Sequence, residues 1–140
     1  MKHLSEFTAD DLAELARADV ARALAEDVGS GDLTAALVDR SRRAQARILA
    51  RESAVICGRP WVEAAVLACD PQAQLQWRVG EGQRCAADEV VLTIEGNAQA
   101  LLTAERTALN FLQLLSAVAT KTALFVEAVR GTRAAIVDTR

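Results

Sequence analysis

A chain of 140 residues can bury a core of its own, and 51% hydrophobic against 25% charged residues describes an ordinary globular protein. A formal net charge of −3 argues against general nucleic-acid binding, and a single histidine, His3 in the N-terminal tail, argues against a histidine-based general base or zinc site. Three cysteines (Cys57, Cys69 and Cys85), odd in number and without metal-ligand spacing, read as reduced core thiols of a cytoplasmic protein. No signal peptide and no membrane-spanning run is expected.

Thr8-Ala9-Asp10-Asp11 is a capping-box pattern with Asp in place of the usual Glu. Leu12, Leu15, Ala16, Val20 and Leu24 come next at helical spacing, which predicts a first helix to about Glu26. Gly29-Ser30-Gly31-Asp32 reads as a helix-ending turn with Asp32 capping the next element; a phosphate loop is the other reading, but its lysine and flanking strand are missing. From Arg40 to Arg51 there are five arginines, and Arg43, Gln45, Arg47 and Arg51 share one strand face while Ala44, Ala46, Ile48 and Ala50 share the other. That pattern predicts a solvated sheet face; a field that gathers anionic substrates is the next reading, and nucleic acid the last, because no aromatics interleave. Ala54 to Gly58 reads as a strand, and Pro60 suits the first turn of a helix running from Trp61 to Cys69 and ending at Asp70-Pro71. Leu75, Trp77 and Val79 alternate with Gln74, Gln76 and Arg78, a half-buried strand, and Val90 to Ile94 forms another, closed by Gly96. Trp61 and Trp77 are expected as core anchors. No internal repeat or low-complexity segment is present.

The last forty residues hold the chemistry. Asn97 can cap a long helical region from Leu101 onward whose apolar residues are too dense for one stripe, and Gly131 suits its C-terminal turn. Its length predicts a break between Ser116 and Thr120. Arg106 lies on this apolar element, where an arginine needs an anionic partner or open water. Ala134 to Val137 reads as a buried strand of a parallel α/β unit, and ligands gather at the carboxyl ends of such strands, where Asp138, Thr139 and Arg140 stand. Two arginines whose planar forks match carboxylate or phosphate point to an anionic small molecule. The other reading pairs Arg106 with Glu105 or another acid on a helix surface and makes Arg140 a frayed end. The fold class expected is α+β. An N-terminal helix and a small, mostly antiparallel sheet packed with helices fill residues 1–115, and residues 116–140 open a parallel α/β unit with a helix and a strand.

The segments EDVGSGDLT (Glu26 to Thr34), AERTALNFLQLLS (Ala104 to Ser116) and GTRAAIVDTR (Gly131 to Arg140) closely resemble the quinolinate phosphoribosyltransferase family, the decarboxylating nicotinate-nucleotide pyrophosphorylases of NAD biosynthesis. The resemblance covers the whole chain but only about half of a family member, and it implies that residues 116–140 are the first helix and strand of a C-terminal α/β barrel whose remainder is absent. It implies transfer of phosphoribosyl from phosphoribosyl pyrophosphate to quinolinate with decarboxylation, magnesium being required. It also implies a homodimer in which Arg106 reaches into the partner's active site, while Thr139 and Arg140 contact quinolinate in their own subunit. No catalytic residue and no metal ligand is assigned within this chain. The family's lysine after Arg140, its acidic magnesium ligands and its phosphate-binding loops would lie outside, so the 140-residue chain alone is expected to be inactive. Ala117 stands where the family often has glycine. Two alternatives are a phosphoribosyltransferase-like protein of molybdenum operons and a non-catalytic dimerisation module. Neither nucleic acid nor membrane is expected as a partner.

Overall fold

A computed structural model describes residues 7–29, 31 and 35–138. Helix α1 (Ala9–Val28) begins as its sequence dictates: the Asp11 N–H donates to Thr8 Oγ1 at 3.1 Å while the Thr8 N–H donates to Asp11 Oδ2 at 2.9 Å. Only Ala16 and Val20 are fully buried, so α1 lends one narrow stripe to the core and Gly29, at φ 52°, ends it. Ser30 and Asp32 lie outside the described residues, and with them the cap expected of Asp32.

Strands β1 (Arg43–Leu49), β2 (Ala54–Val55), β3 (Gln74–Trp77), β4 (Arg84–Cys85) and β5 (Val90–Asn97) build two antiparallel sheets, ordered β1-β5-β3 and β2-β4. The register sets Gln45 opposite Glu95 and Arg47 opposite Thr93, with Gln76 across the other edge of Thr93. One face is therefore polar and wet, as the arginine spacing predicts, and Arg43 and Arg47 are exposed on it. Leu92 and Ile94 point the other way into the core, alongside Val62 and Val66 of helix α2 (Arg59–Cys69). A register shift between Ile48 and Leu49 ends the alternation before it reaches Arg51.

The strand expected over Ala54 to Gly58 is shorter. After Val55 the chain leaves the ladder, and Gly58, at φ 108°, turns it into α2. A side chain there would crowd Leu115, whose Cδ1 lies 3.0 Å from the position of a Cβ. The first turn of α2 contains Pro60 and is capped from a distance: Glu81 accepts from the N–H groups of Gly58 and Arg59 at 2.8 and 3.0 Å. The two tryptophans sit at the rim of the core rather than inside it, because each ring N–H needs an acceptor. Trp61 donates to Asp19 at 3.0 Å and stacks on Phe111 at 6.3 Å; Trp77 donates to Glu63 at 2.8 Å.

Helix α3 (Ala98–Ala128) is 31 residues long and continuous, which corrects the break expected near Ser116 to Thr120. It opens on Asn97, whose Oδ1 accepts from the Ala100 N–H at 3.0 Å; the Asn97 N–H in turn donates to Asp70 at 2.8 Å. Ser116 and Thr120 lie one turn apart on one face. Thr120 accepts from the Val55 N–H at 2.8 Å, and Ser116 both accepts from the Cys57 N–H at 3.0 Å and donates to the Cys57 carbonyl at 3.1 Å. Hydroxyls that would compete with the helix for its own backbone are thus bound to a neighbouring segment, and packing overrides propensity. Residue 116, where the sequence suggests a boundary, lies inside this helix.

By length and composition alone α3 could cross a bilayer, contrary to the expectation that no run could. Its Ala104, Ala108 and Leu112 belong to the core and its hydroxyls clasp the β2 segment. Gly131, at φ 81°, turns the chain after α3. Ala134 to Val137, expected as a buried strand, forms none: it joins neither sheet, and Val137 is 73% exposed. A strand exists only by pairing with a neighbour, and none of the described strands supplies one. Thr139 and Arg140 lie outside the described residues.

Candidate functional site

Arg106 projects from the third turn of α3. Its neighbours Thr107 and Ala108 turn inward and are buried, whereas its own side chain is 74% exposed. Arg106 Nη1 donates to Asp27 Oδ1 at 2.9 Å. The adjacent Glu105 is not the partner, since successive helix residues point about 100° apart. The partner of Arg106 is instead an acid 79 residues away that spacing could not identify. One signal could have found it: Asp27 belongs to the EDVGSGDLT segment and Arg106 to AERTALNFLQLLS, two of the segments that carry the resemblance.

The frame behind the pair is built from side chains of all three helices. Asp19, two turns before Asp27 on α1, accepts from the Trp61 ring N–H on α2, and the Trp61 ring stacks on Phe111 of α3. The Trp61 hydrogen bond, more than the Arg22 guanidinium beside it, holds the Asp19 carboxyl below the ordinary carboxylate range despite some desolvation. Beside Asp27 a cleft of about 410 Å³ opens between α1 and α3, walled by Glu26, Asp27, Thr107, Asn110, Phe111 and Leu114. Among the described residues two carboxylates line this cleft and no cation does, so on their own they do not attract a polyanion.

A larger groove, about 690 Å³, runs between β1 and the first half of α3. Small side chains floor it, among them Ala44, Ala46, Ala104 and Ala108, and Arg42, Arg47 and Arg51 stand along it. Part of the arginine-rich stretch therefore edges an apolar groove as well as the open sheet face.

Other titratable groups narrow the chemistry available. Burial, reinforced by the neighbouring Glu81 carboxylate, pushes the Cys57 thiol up to about 11, so it is no thiolate nucleophile at neutral pH. Burial also raises Cys69. Among the described residues no group of three or more His, Cys, Asp or Glu side chains is gathered in one place. Thr139 and Arg140, the other substrate-binding residues expected, cannot be placed relative to Arg106, since they lie outside the described residues.

Residues 32–116 match the family profile "Quinolinate phosphoribosyl transferase, N-terminal domain". The chain is 42% identical over 117 residues to a probable nicotinate-nucleotide pyrophosphorylase [carboxylating] of Synechocystis sp., an alignment spanning 84% of this chain and 40% of the relative. It is 39% identical over 134 residues to the nicotinate-nucleotide pyrophosphorylase of Mycobacterium leprae, spanning 91% and 46%. Among solved structures, the nicotinate-nucleotide pyrophosphorylase from Francisella tularensis superimposes with a TM-score of 0.87 at 32% identity, over 91% of this chain and 46% of that one. NadC from Streptococcus pyogenes does so with a TM-score of 0.80 at 34% identity, over 100% and 48%. The chain spans less than half the length of these relatives. On the profile match, the sequence identity and the shared fold together, the chain belongs to the quinolinate phosphoribosyltransferase family and carries that family's N-terminal domain.

Proposed function

We propose that this chain is the N-terminal part of an enzyme that transfers phosphoribosyl from phosphoribosyl pyrophosphate to quinolinate, releasing pyrophosphate and carbon dioxide and giving nicotinate mononucleotide. One observation carries the reading. Arg106 is offered to solvent from a helix clasped to the β2 segment at Ser116 and Thr120, and among the described residues it has a single hydrogen-bond partner and no cation in the adjoining cleft. Such an arginine cannot build a site for two polyanionic substrates, but it can complete one whose other cations come from elsewhere. A guanidinium already in place neutralises charge without the reorientation that water would need.

On this reading the enzyme is a cytoplasmic homodimer and Arg106 enters the partner's site. Thr139 and Arg140 contact quinolinate in their own subunit, and magnesium arrives with phosphoribosyl pyrophosphate on ligands beyond this chain. The test begins with the mass and sequence of the native product past Arg140, then an assay with both substrates and magnesium. Formation of nicotinate mononucleotide is expected from the native product and none from the 140-residue chain alone; the reverse outcome refutes the reading. Mixed dimers address the crossing: an Arg106→Ala subunit combined with one inactivated elsewhere regains a single working site if Arg106 acts in trans.

A second reading, a non-catalytic dimerisation module, has in its favour the exposed apolar side chains of α3, Leu114, Val118, Leu124 and Phe125. Concentration-dependent association with no binding of quinolinate would support it instead.

A further inference from the structure

Arg106 has one partner among the described residues, Asp27, and that partner sits where local physics disfavours it. Glu26 and Asp27 occupy the last turn of α1, at the negative end of the helix dipole, and that turn holds no basic residue. Carboxylates there are unfavourable, and a cation supplied from another element relieves them. The contact is also one-sided: Nη1 donates to Asp27, which leaves Nη2 and Nε without an acceptor among the described residues and able to take a second anion. The two helices that carry the pair are held in register by the Asp19–Trp61–Phe111 chain, so Asp27 is a fixed point and not a mobile surface acid.

We propose that Asp27 is the positioning residue for Arg106: it holds one edge of the guanidinium so that the opposite edge is presented, already ordered, to a carboxylate of quinolinate. The inference rests on the reading above, in which Arg106 binds an anionic substrate. An exposed arginine samples many rotamers, and each one frozen on binding weakens affinity. A carboxylate that pre-selects one rotamer moves that cost from binding to folding. The same carboxylate offsets part of Arg106's charge, so its contribution lies in orientation and not in attraction.

The test is a double-mutant cycle in the native polypeptide, read as separate kcat and KM values for each substrate. Asp27→Ala should raise the quinolinate KM about fivefold, the upper range for an exposed ion pair, with kcat and the phosphoribosyl pyrophosphate KM changed less than about twofold. Asp27→Asn, which keeps an acceptor oxygen, should recover part of the loss. In an Arg106→Ala background Asp27→Ala should add nothing, because the group it positions is gone. An unchanged quinolinate KM in Asp27→Ala, or the same loss with and without Arg106, overturns the positioning role while leaving the enzyme reading intact. A wild-type polypeptide that turns over no quinolinate overturns the enzyme reading, and this inference with it. Should Asp27→Ala fold poorly by circular dichroism, the Asp27→Asn and Arg106→Ala pair closes the same cycle.

Discussion

Replacing Ser116 with alanine removes a single oxygen that makes two hydrogen bonds to Cys57, at 3.0 and 3.1 Å, in a site where Ser116 is 7% exposed. Each such bond contributes about 1 kcal/mol net, and a polar group stranded out of water costs about 1–3 kcal/mol. Against this, alanine is the better helix former by roughly 0.5 kcal/mol. The balance is a destabilisation of about 2 kcal/mol. At about 2.1 cal/mol/K of unfolding entropy per residue, this lowers the thermal midpoint by roughly 7 °C. Urea unfolding monitored by circular dichroism gives the free energy directly, and a thermal scan checks the midpoint. Thr120→Val, a nearly isosteric change that loses only the bond to the Val55 N–H, should cost about half as much. A Ser116→Ala variant within about 0.5 kcal/mol of the parent would refute the clasp: α3 would then be held against β2 by apolar packing alone, and the hydroxyls would not explain why the helix runs unbroken.

Gly96→Ala should destabilise by about 2 kcal/mol in the same urea assay, because a Cβ there lies 2.8 Å from Asp70 Oδ2, and that oxygen is already bound to the Asn97 N–H; a neutral result would mean the carboxylate can yield. The Asn97 N–H, then the Gln72 N–H, hold the Asp70 carboxyl below its ordinary value of 3.8. That stabilisation is complete above the ordinary carboxylate range and is lost as pH falls through the lower folded value, so stability should drop below about pH 4. The drop should be shallower in Asp70→Asn, and superimposable pH profiles would remove Asp70 as its cause. With its thiol raised to about 11, Cys57 should alkylate with iodoacetamide at neutral pH far more slowly than free glutathione; equal rates, read by mass spectrometry, would contradict the burial argument. Arg106→Lys keeps the charge but loses the planar fork, and should cost the native enzyme about 2 kcal/mol in transition-state stabilisation; unchanged kcat/KM for quinolinate would take Arg106 out of the site.

Signals that act over a few residues are legible in the sequence. Thr8 and Asp11 mark the start of α1, Asn97 the start of α3, and the alternation from Arg43 to Ile48 separates the wet face of β1 from its partly buried one. The features that stay hidden depend on partners distant in the chain. Nothing near Ser116 and Thr120 says that their hydroxyls will meet the backbone of Cys57 and Val55, 59 and 65 residues away, so local propensity argues for a break that packing prevents. The apolar run Ala134 to Val137 looks like a strand because its composition is that of one, yet a strand is a relation between segments and this one has no described neighbour. Arg106 stands out as a charge on an apolar helix, but its counterion is identifiable only once α1 and α3 are placed side by side.

The clasp at Ser116 and Thr120 also fixes a fulcrum. Of the 31 residues in α3, those from Lys121 to Ala128 continue past the clasp for about 12 Å at 1.5 Å per residue. A stiff rod pinned at about three-quarters of its length is a lever. A tilt of roughly 10° at the hydroxyls would swing its far end by about 2 Å. The chain beyond Gly131 is therefore aimed by two side-chain oxygens that lie several turns along α3 from Arg106, and weakening either one should loosen the bearing of everything past it.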